Sequence, residues 1–226
     1  MENNEKGNQG SALEPMVKAV LVADENTLWL PEVLDGLAAQ DHKKLEFLLL
    51  LRGNEKTTSD IEDLVKRVLP TSKIIRTTGK VNYAKLANLV LRNELTDSRD
   101  NFFLFLKDDL ILDATCVRRM VELAVGSNAG IVGPKVLDGE NPSQLEDMGS
   151  VMDNFYSPVG RSEKGENDQG QHDGKNISAA PESAMLIRTD LFRAIEGYDT
   201  EVNSPDNNVE ICLRSHLVGA KVVLAS

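Results

Sequence analysis

The sequence predicts an α/β fold, a mostly parallel central sheet with helices on both faces. Three observations predict it. Short, almost continuously apolar runs recur along residues 17–136, which is how strands buried on both faces look. Segments with apolar residues at helical spacing lie between them. The two alternate as in βαβ units, whose crossover helices cover both faces of one sheet.

Residues 1–15 are polar and rich in Asn, a composition with too little apolar surface to order itself. They are expected as a flexible N-terminal tail before one domain over 16–226. The first strand is expected at 17–22 (VKAVLV). The first helix is expected at 28–39, where Leu28, Leu30, Val33, Leu34, Leu37 and Ala38 share one side. Residues 45–51 (LEFLLLL) form the second strand. The helix at 59–69 places Ile61, Leu64, Val65 and Val68 on one stripe. Its first turn holds Asp60, Glu62 and Asp63, where carboxylates complement the helix dipole, and Pro70 stops it. A strand at 73–75, a helix at 84–95 and a strand at 102–106 (FFLFL) follow. Next come a helix at 114–125 capped by Asp113 and a strand at 131–136.

Gly, Asn, Asp, Ser and Glu dominate residues 137–175, and the periodicity fades. A connection this long inside a compact domain tends to be functional. Order returns over 177–188, ending in the strand-like AMLIR. A short helix at 190–195, a helix at 208–217 striped by Val209, Cys212, Leu213 and Leu217, and a strand at 221–224 complete the chain.

Of the 226 residues, 41% are hydrophobic and 27% charged, which excludes a wholly disordered chain. The longest apolar runs, 47–51 and 102–106, fall far short of the roughly 18 residues a membrane span needs. No secretory signal pattern opens the chain. A net charge of -11 disfavours nucleic acid or an anionic membrane surface as partner. An anionic small molecule held with a metal ion is compatible with it. Cys116 and Cys212 belong to no Cys-x-x-Cys pair. They are expected as buried, reduced thiols in a cytoplasmic protein.

Several motifs fail. The turn after the first strand, Ala23-Asp24-Glu25-Asn26, has no glycine to admit a pyrophosphate in the dinucleotide-binding manner. The spacing of Gly160 and Gly165 resembles a phosphate loop, but Glu166 stands where lysine is needed. No His-Glu-x-x-His, Gly-x-Ser-x-Gly or zinc spacing occurs. The triplet Asn176-Ile177-Ser178 is read as a chance glycosylation match. His42 and His216 are expected to be structural. His172, with Asp168 and Asp173, is expected in a solvated or substrate-facing loop rather than a metal cluster.

One motif survives. Lys107-Asp108-Asp109 directly follows the apolar strand 102–106. Ligands of parallel α/β sheets bind at the carboxyl ends of strands. Two adjacent carboxylates there suit Mg²⁺ or Mn²⁺, which bind through one or two carboxylates plus substrate phosphates. The alternative is a solvated strand–helix turn.

With this acidic pair, Gly133-Pro134-Lys135 and the late VEICLR helix, the sequence resembles family 2 glycosyltransferases from about residue 17 onward. VLVADENTLWLPEVLDGLAAQD is similar to the family's opening strand and helix. NYAKLANLVL is similar to the segment that carries an Asn, here Asn88. The Asp168–Asp173 run with SAAPESAMLIRTDLFRAIEGYD is similar to actinobacterial members, whose transferase domain is often the N-terminal part of a larger membrane protein. The resemblance implies a GT-A fold, a nucleotide-diphosphate sugar donor, Mg²⁺ or Mn²⁺, and transfer of the sugar to a hydroxyl of a glycan or lipid-linked acceptor. It implies a cytoplasmic location at the inner face of the membrane. It also implies a longer parent, because the family commonly supplies a further His after the final strand and this sequence stops at Ser226, before that point.

Residue by residue, the resemblance makes Asp109 the metal-binding carboxylate and Asp108 its neighbour. Ala23, Asp24, Glu25, Asn88, Lys107 and Asp108 become donor-binding residues. The family's acidic pair at the late helix, which takes the acceptor proton, falls on Asn207 and Asn208. Asp206, Asn208 and Glu210 are therefore the catalytic candidates, with Asp206 a substitute base and Glu210 also placed to pair with Arg214. Leu51 stands where the family has an Asp that binds the nucleotide base. These departures support a second hypothesis, a GT-A-fold binding or scaffolding domain that has lost its catalytic base. A nucleotidyltransferase is disfavoured because the Gly/Lys-rich start of such enzymes is missing.

Overall fold

The long apolar runs become the centre of the sheet. In the computed structural model, which describes residues 14–24, 28–79, 81–93, 101–155, 157–172, 176–202 and 206–226, β1 (Met16–Asp24) pairs in parallel with β2 (Leu45–Arg52). Beyond β2 lies β3 (Lys73–Thr77), and on the other side of β1 lies β4 (Asn101–Lys107), both parallel. The seven-stranded sheet is completed by β5 (Ile131–Pro134), β10 (Ala184–Arg188) and β11 (Val222–Ala225), in the order β11-β5-β10-β4-β1-β2-β3. Only β10 runs antiparallel to its neighbours.

Successive strand residues face opposite sides, so each strand feeds two cores. Val20, Leu48, Leu50, Phe103, Phe105, Met185 and Ile187 face one. Ala19, Leu21, Leu49, Leu51, Leu104, Leu106 and Leu186 face the other. Helices α1 (Leu30–Ala38), α2 (Glu55–Val68) and α5 (Cys116–Ser127) cover the second face. The first face is covered by α3 (Tyr83–Ala87), α4 (Val90–Asn93), α6 (Thr189–Ala194) and α7 (Asn207–Leu217). Phe103, Phe105, Phe192 and Tyr198 stack there, with the Phe105 and Phe192 ring centroids 5.0 Å apart.

Several boundaries differ from the sequence expectation. Helix α2 begins a turn early because Asn54 caps it, its side chain accepting from the Lys56 and Thr57 N–H groups at 3.0 and 3.2 Å. The helix expected at 84–95 is broken into α3 and α4, and Leu95 lies outside the described residues. Helix α5 starts at Cys116, and the Asp113 carboxylate accepts from the Thr115 N–H and hydroxyl just before it. The strand expected at 131–136 divides at Lys135, whose N–H reaches Ala225 O at 2.8 Å.

The polar segment after β5 is built rather than loose. It holds two hairpins, β6 (Val136–Leu137) with β7 (Leu145–Asp147), and β8 (Ser150–Met152) with β9 (Pro158–Gly160). A Lys135–Asp168 ion pair at 2.8 Å and a His172–Glu166 contact at 3.0 Å tie its far end. Asp173 and residues 1–13 of the expected tail lie outside the described residues. His42 is buried, with Nε2 2.9 Å from Pro15 O. No helix among the described residues is long and apolar enough to cross a membrane.

Candidate active site

The carboxyl ends of β1, β2 and β4 open toward one rim of the sheet, where such folds bind ligands. A pocket of about 290 Å³ there is lined by Val22 and Ala23 of β1, Arg52 of β2, Tyr83 and Leu86 of α3, and Lys107 and Asp108 at the end of β4. A wider cleft of about 580 Å³ is lined by Lys107, Asp109, Lys135, Glu146, Asp147 and Glu182, among others. Lys107 lines both and forms an ion pair with Glu182.

Of the expected donor-binding residues, Ala23, Lys107 and Asp108 line the smaller pocket. Asp24 ends β1 in register with Arg52. Glu25 lies outside the described residues. Asn88 is turned toward Tyr198, whose N–H donates to its Oδ1 at 2.9 Å and whose carbonyl accepts from its Nδ2 at 2.8 Å. Gly197, at φ +74°, allows this contact, because a Cβ there would lie 2.4 Å from Asn88 Oδ1. The same clamp sits at the break between α3 and α4.

Arg52 is a pocket residue that sequence reasoning passed over. Leu51 is fully buried against the other core, so strand alternation turns Arg52 toward the pocket. Its guanidinium donates to Val81 O at 2.7 Å. The available signal was the two-residue alternation that any strand imposes on its side chains, followed one step past Leu51.

The catalytic candidates separate at the start of α7. Asp206 is exposed, and its carbonyl accepts from the Glu210 N–H at 2.9 Å. Asn207 and Asn208 are buried. The Asn208 Nδ2 donates to Pro181 O at 2.6 Å, and its Oδ1 accepts from the Tyr198 hydroxyl at 3.3 Å. Glu210 pairs with Arg214, whose Nη2 also donates to Gly197 O at 2.6 Å. The pairing anticipated from helical spacing therefore forms.

Burial sets the local acid–base chemistry. Asp147 is held above the usual carboxylate range, first by burial and further by the nearby Glu182 and Glu146 charges. It still accepts from the Gly149 and Glu182 N–H groups at 2.7 and 3.3 Å. Burial also raises the phenols of Tyr83 and Tyr198. The Cys116 thiol is pushed up to about 11 and that of Cys212 to about 12. Asp168 is held below the usual range by its hydrogen bond to Lys135 and by the Gly170 N–H.

Asp108 and Asp109 supply hard oxygen donors at the strand end, each on a cavity wall. Among the described residues no three His, Cys, Asp or Glu side chains converge on a metal position. The donor set therefore fits Mg²⁺ or Mn²⁺ only in the manner of ions that complete their shell with substrate phosphates and water.

An α/β sheet of this architecture, with its cleft at the strand ends, is the GT-A fold of glycosyltransferases. The 1–349 fragment of Staphylococcus aureus TarS, in complex with UDP-GlcNAc, superposes with a TM-score of 0.67 at 14% identity over 93% of this chain and 56% of that one. The Pyrobaculum calidifontis mannosyltransferase PcManGT, with GDP-Man and Mn²⁺, gives 0.65 at 13% over 94% and 55%. GalNAc-T7, with UDP, GalNAc and Mn²⁺, gives 0.69 at 11% over 95% and 43%. The chain thus spans roughly half the length of these neighbours. No family model matches the chain, and no curated protein matches it in sequence.

Proposed function

We propose that this chain is a glycosyltransferase of the family 2 kind. It would move a sugar from a nucleotide-diphosphate donor to a hydroxyl of a glycan or lipid-linked acceptor. The observation that carries the reading is the paired cavity at the ends of β1, β2 and β4, with Lys107-Asp108-Asp109 between its halves. The smaller pocket offers Ala23, Leu86 and Tyr83 to a nucleotide base, and Arg52 and Lys107 to phosphates. The larger cleft has room for the sugar and the attacking hydroxyl. Asp109 and Asp108 would hold Mg²⁺ or Mn²⁺, which when bound supplies positive charge to the departing diphosphate. TarS with UDP-GlcNAc and PcManGT with GDP-Man and Mn²⁺ support both the donor class and the metal. The two unpaired cysteines favour a reducing cytoplasmic setting.

The test is a thermal or denaturant shift with UDP or GDP and Mn²⁺. A ligand at one hundred times its Kd adds about 2.7 kcal/mol. No shift with either nucleotide in the presence of Mn²⁺ rejects the donor site.

The second reading, a GT-A domain that binds without turnover, is favoured by one observation. Asn207 and Asn208 are neutral amides, both buried, at the positions where the resemblance puts the base. Hydrolysis of UDP-GlcNAc or GDP-mannose by the wild-type chain separates the two, because a binding domain protects the donor and leaves it intact.

A further inference from the structure

Neither amide at the start of α7 can take a proton from an acceptor hydroxyl, because a neutral carboxamide has no useful basicity. Asn208 is in addition held by its hydrogen bonds to Pro181 O and the Tyr198 hydroxyl. Its Nδ2 also lies 3.5 Å from Glu182 O, so the amide grips the backbone of the very segment that carries a carboxylate. Asp147 Oδ2 accepts the Glu182 N–H at 3.3 Å, which fixes the other end of that residue. The Glu182 side chain lines the larger cleft and pairs with Lys107.

The geometry points to Glu182 as the catalytic base of this chain, released for the task when a donor's diphosphate replaces it on Lys107. The inference rests on the glycosyltransferase reading above. A nucleotide sugar that fills both cavities runs past Lys107, the residue shared by their walls. Its phosphates take the ammonium group, and the Glu182 carboxylate turns to the acceptor. The acceptor hydroxyl then gives its proton to Glu182 as its oxygen forms the bond to the anomeric carbon. The bond from that carbon to the β-phosphate oxygen breaks, and its electron pair leaves with the nucleoside diphosphate. The proton on Glu182 passes to solvent after product release. Lys107 from β4, Asp109 just after it, Glu146 and Asp147 of β7 and Lys135 between β5 and β6 line the same cleft, and Tyr83 of α3 also feels the Glu182 charge. Three of these are acids that oppose a further negative charge, and Lys107 counters them until the donor takes it.

The test measures UDP binding by calorimetry and hydrolysis of UDP-GlcNAc and GDP-mannose with Mn²⁺, water serving as acceptor. Wild type, Glu182→Gln and Glu182→Asp are compared across pH. Glu182→Gln should lower kcat about 100-fold or more and abolish the acidic limb of its pH profile. It should bind UDP at least as tightly as wild type, because Lys107 no longer has to leave a carboxylate. Glu182→Asp should restore part of kcat together with the acidic limb. Turnover of Glu182→Gln within threefold of wild type, or an unchanged acidic limb, overturns the assignment. Wild type that binds UDP but hydrolyses neither donor overturns it too, while the donor site stands. A wild type that binds no nucleotide removes both.

Discussion

Asn208 shows what a single side chain decides here. Its Nδ2 points at two carbonyl oxygens, so Asn208→Asp would set a buried carboxylate against Pro181 O rather than restore a base. An uncompensated buried charge costs several kcal/mol. We expect Asn208→Asp to lose about 3 kcal/mol at neutral pH by urea denaturation, with no gain in donor hydrolysis. The loss should shrink on acidification, since a protonated acid can donate to the same carbonyl. The Cys212 thiol, buried and pushed up to about 12, should react with a disulfide reagent at pH 8 only as fast as the protein unfolds. Asp168 provides a signed pH effect. Its folded pKa is depressed by Lys135, so its contribution is present above the unfolded value and is lost as pH falls through the folded one. Asp168→Asn should therefore lower Tm at pH 7, and the two melting curves should converge in acid.

At the scale of elements, the cleft depends on close backbone approaches. Gly133 of β5 lies against the segment that leads to Glu182, and a Cβ there would sit 2.5 Å from Pro181 Cδ and 3.1 Å from Ala180 Cβ. Gly133→Ala must push that segment away from the sheet. It should cost about 1–3 kcal/mol as an overpacking change and, on the proposed transferase reading, lower donor hydrolysis beyond the stability loss, because Pro181 and Glu182 are what Asn208 holds. Circular dichroism melts alongside donor hydrolysis would separate the two effects. The elements also show where sequence reading stops. The apolar runs at β1, β2 and β4 announced themselves, because strands buried on both faces need continuous apolar side chains. The division of 84–95 into α3 and α4 did not. It coincides with the Asn88 amide pairing with the Tyr198 backbone, a contact across more than a hundred residues that no local pattern encodes.

For the whole molecule, one sheet separates two cores, and β10 returns from late in the chain to lie between β4 and β5. The single tryptophan, Trp29, stands outside both and is 57% exposed. Its emission should be red-shifted in the native state and move little on unfolding, whereas far-ultraviolet circular dichroism should show the full transition. A large blue-shifted native emission would contradict this placement. Fold class, the strand-end position of Lys107-Asp108-Asp109 and the Glu210–Arg214 spacing were legible in the sequence alone, since period and adjacency along the chain determine them. The facing of Arg52 was nearly so, had strand alternation been followed to the end of β2. Only the tertiary structure brought Glu182 to Lys107, 75 residues away. Only it turned Asn88 and Asn208 into backbone clamps. The reason is physical: hydrophobic periodicity reports which face of an element is buried, while the partner of a polar group depends on which distant segment the packed sheet brings within hydrogen-bond reach.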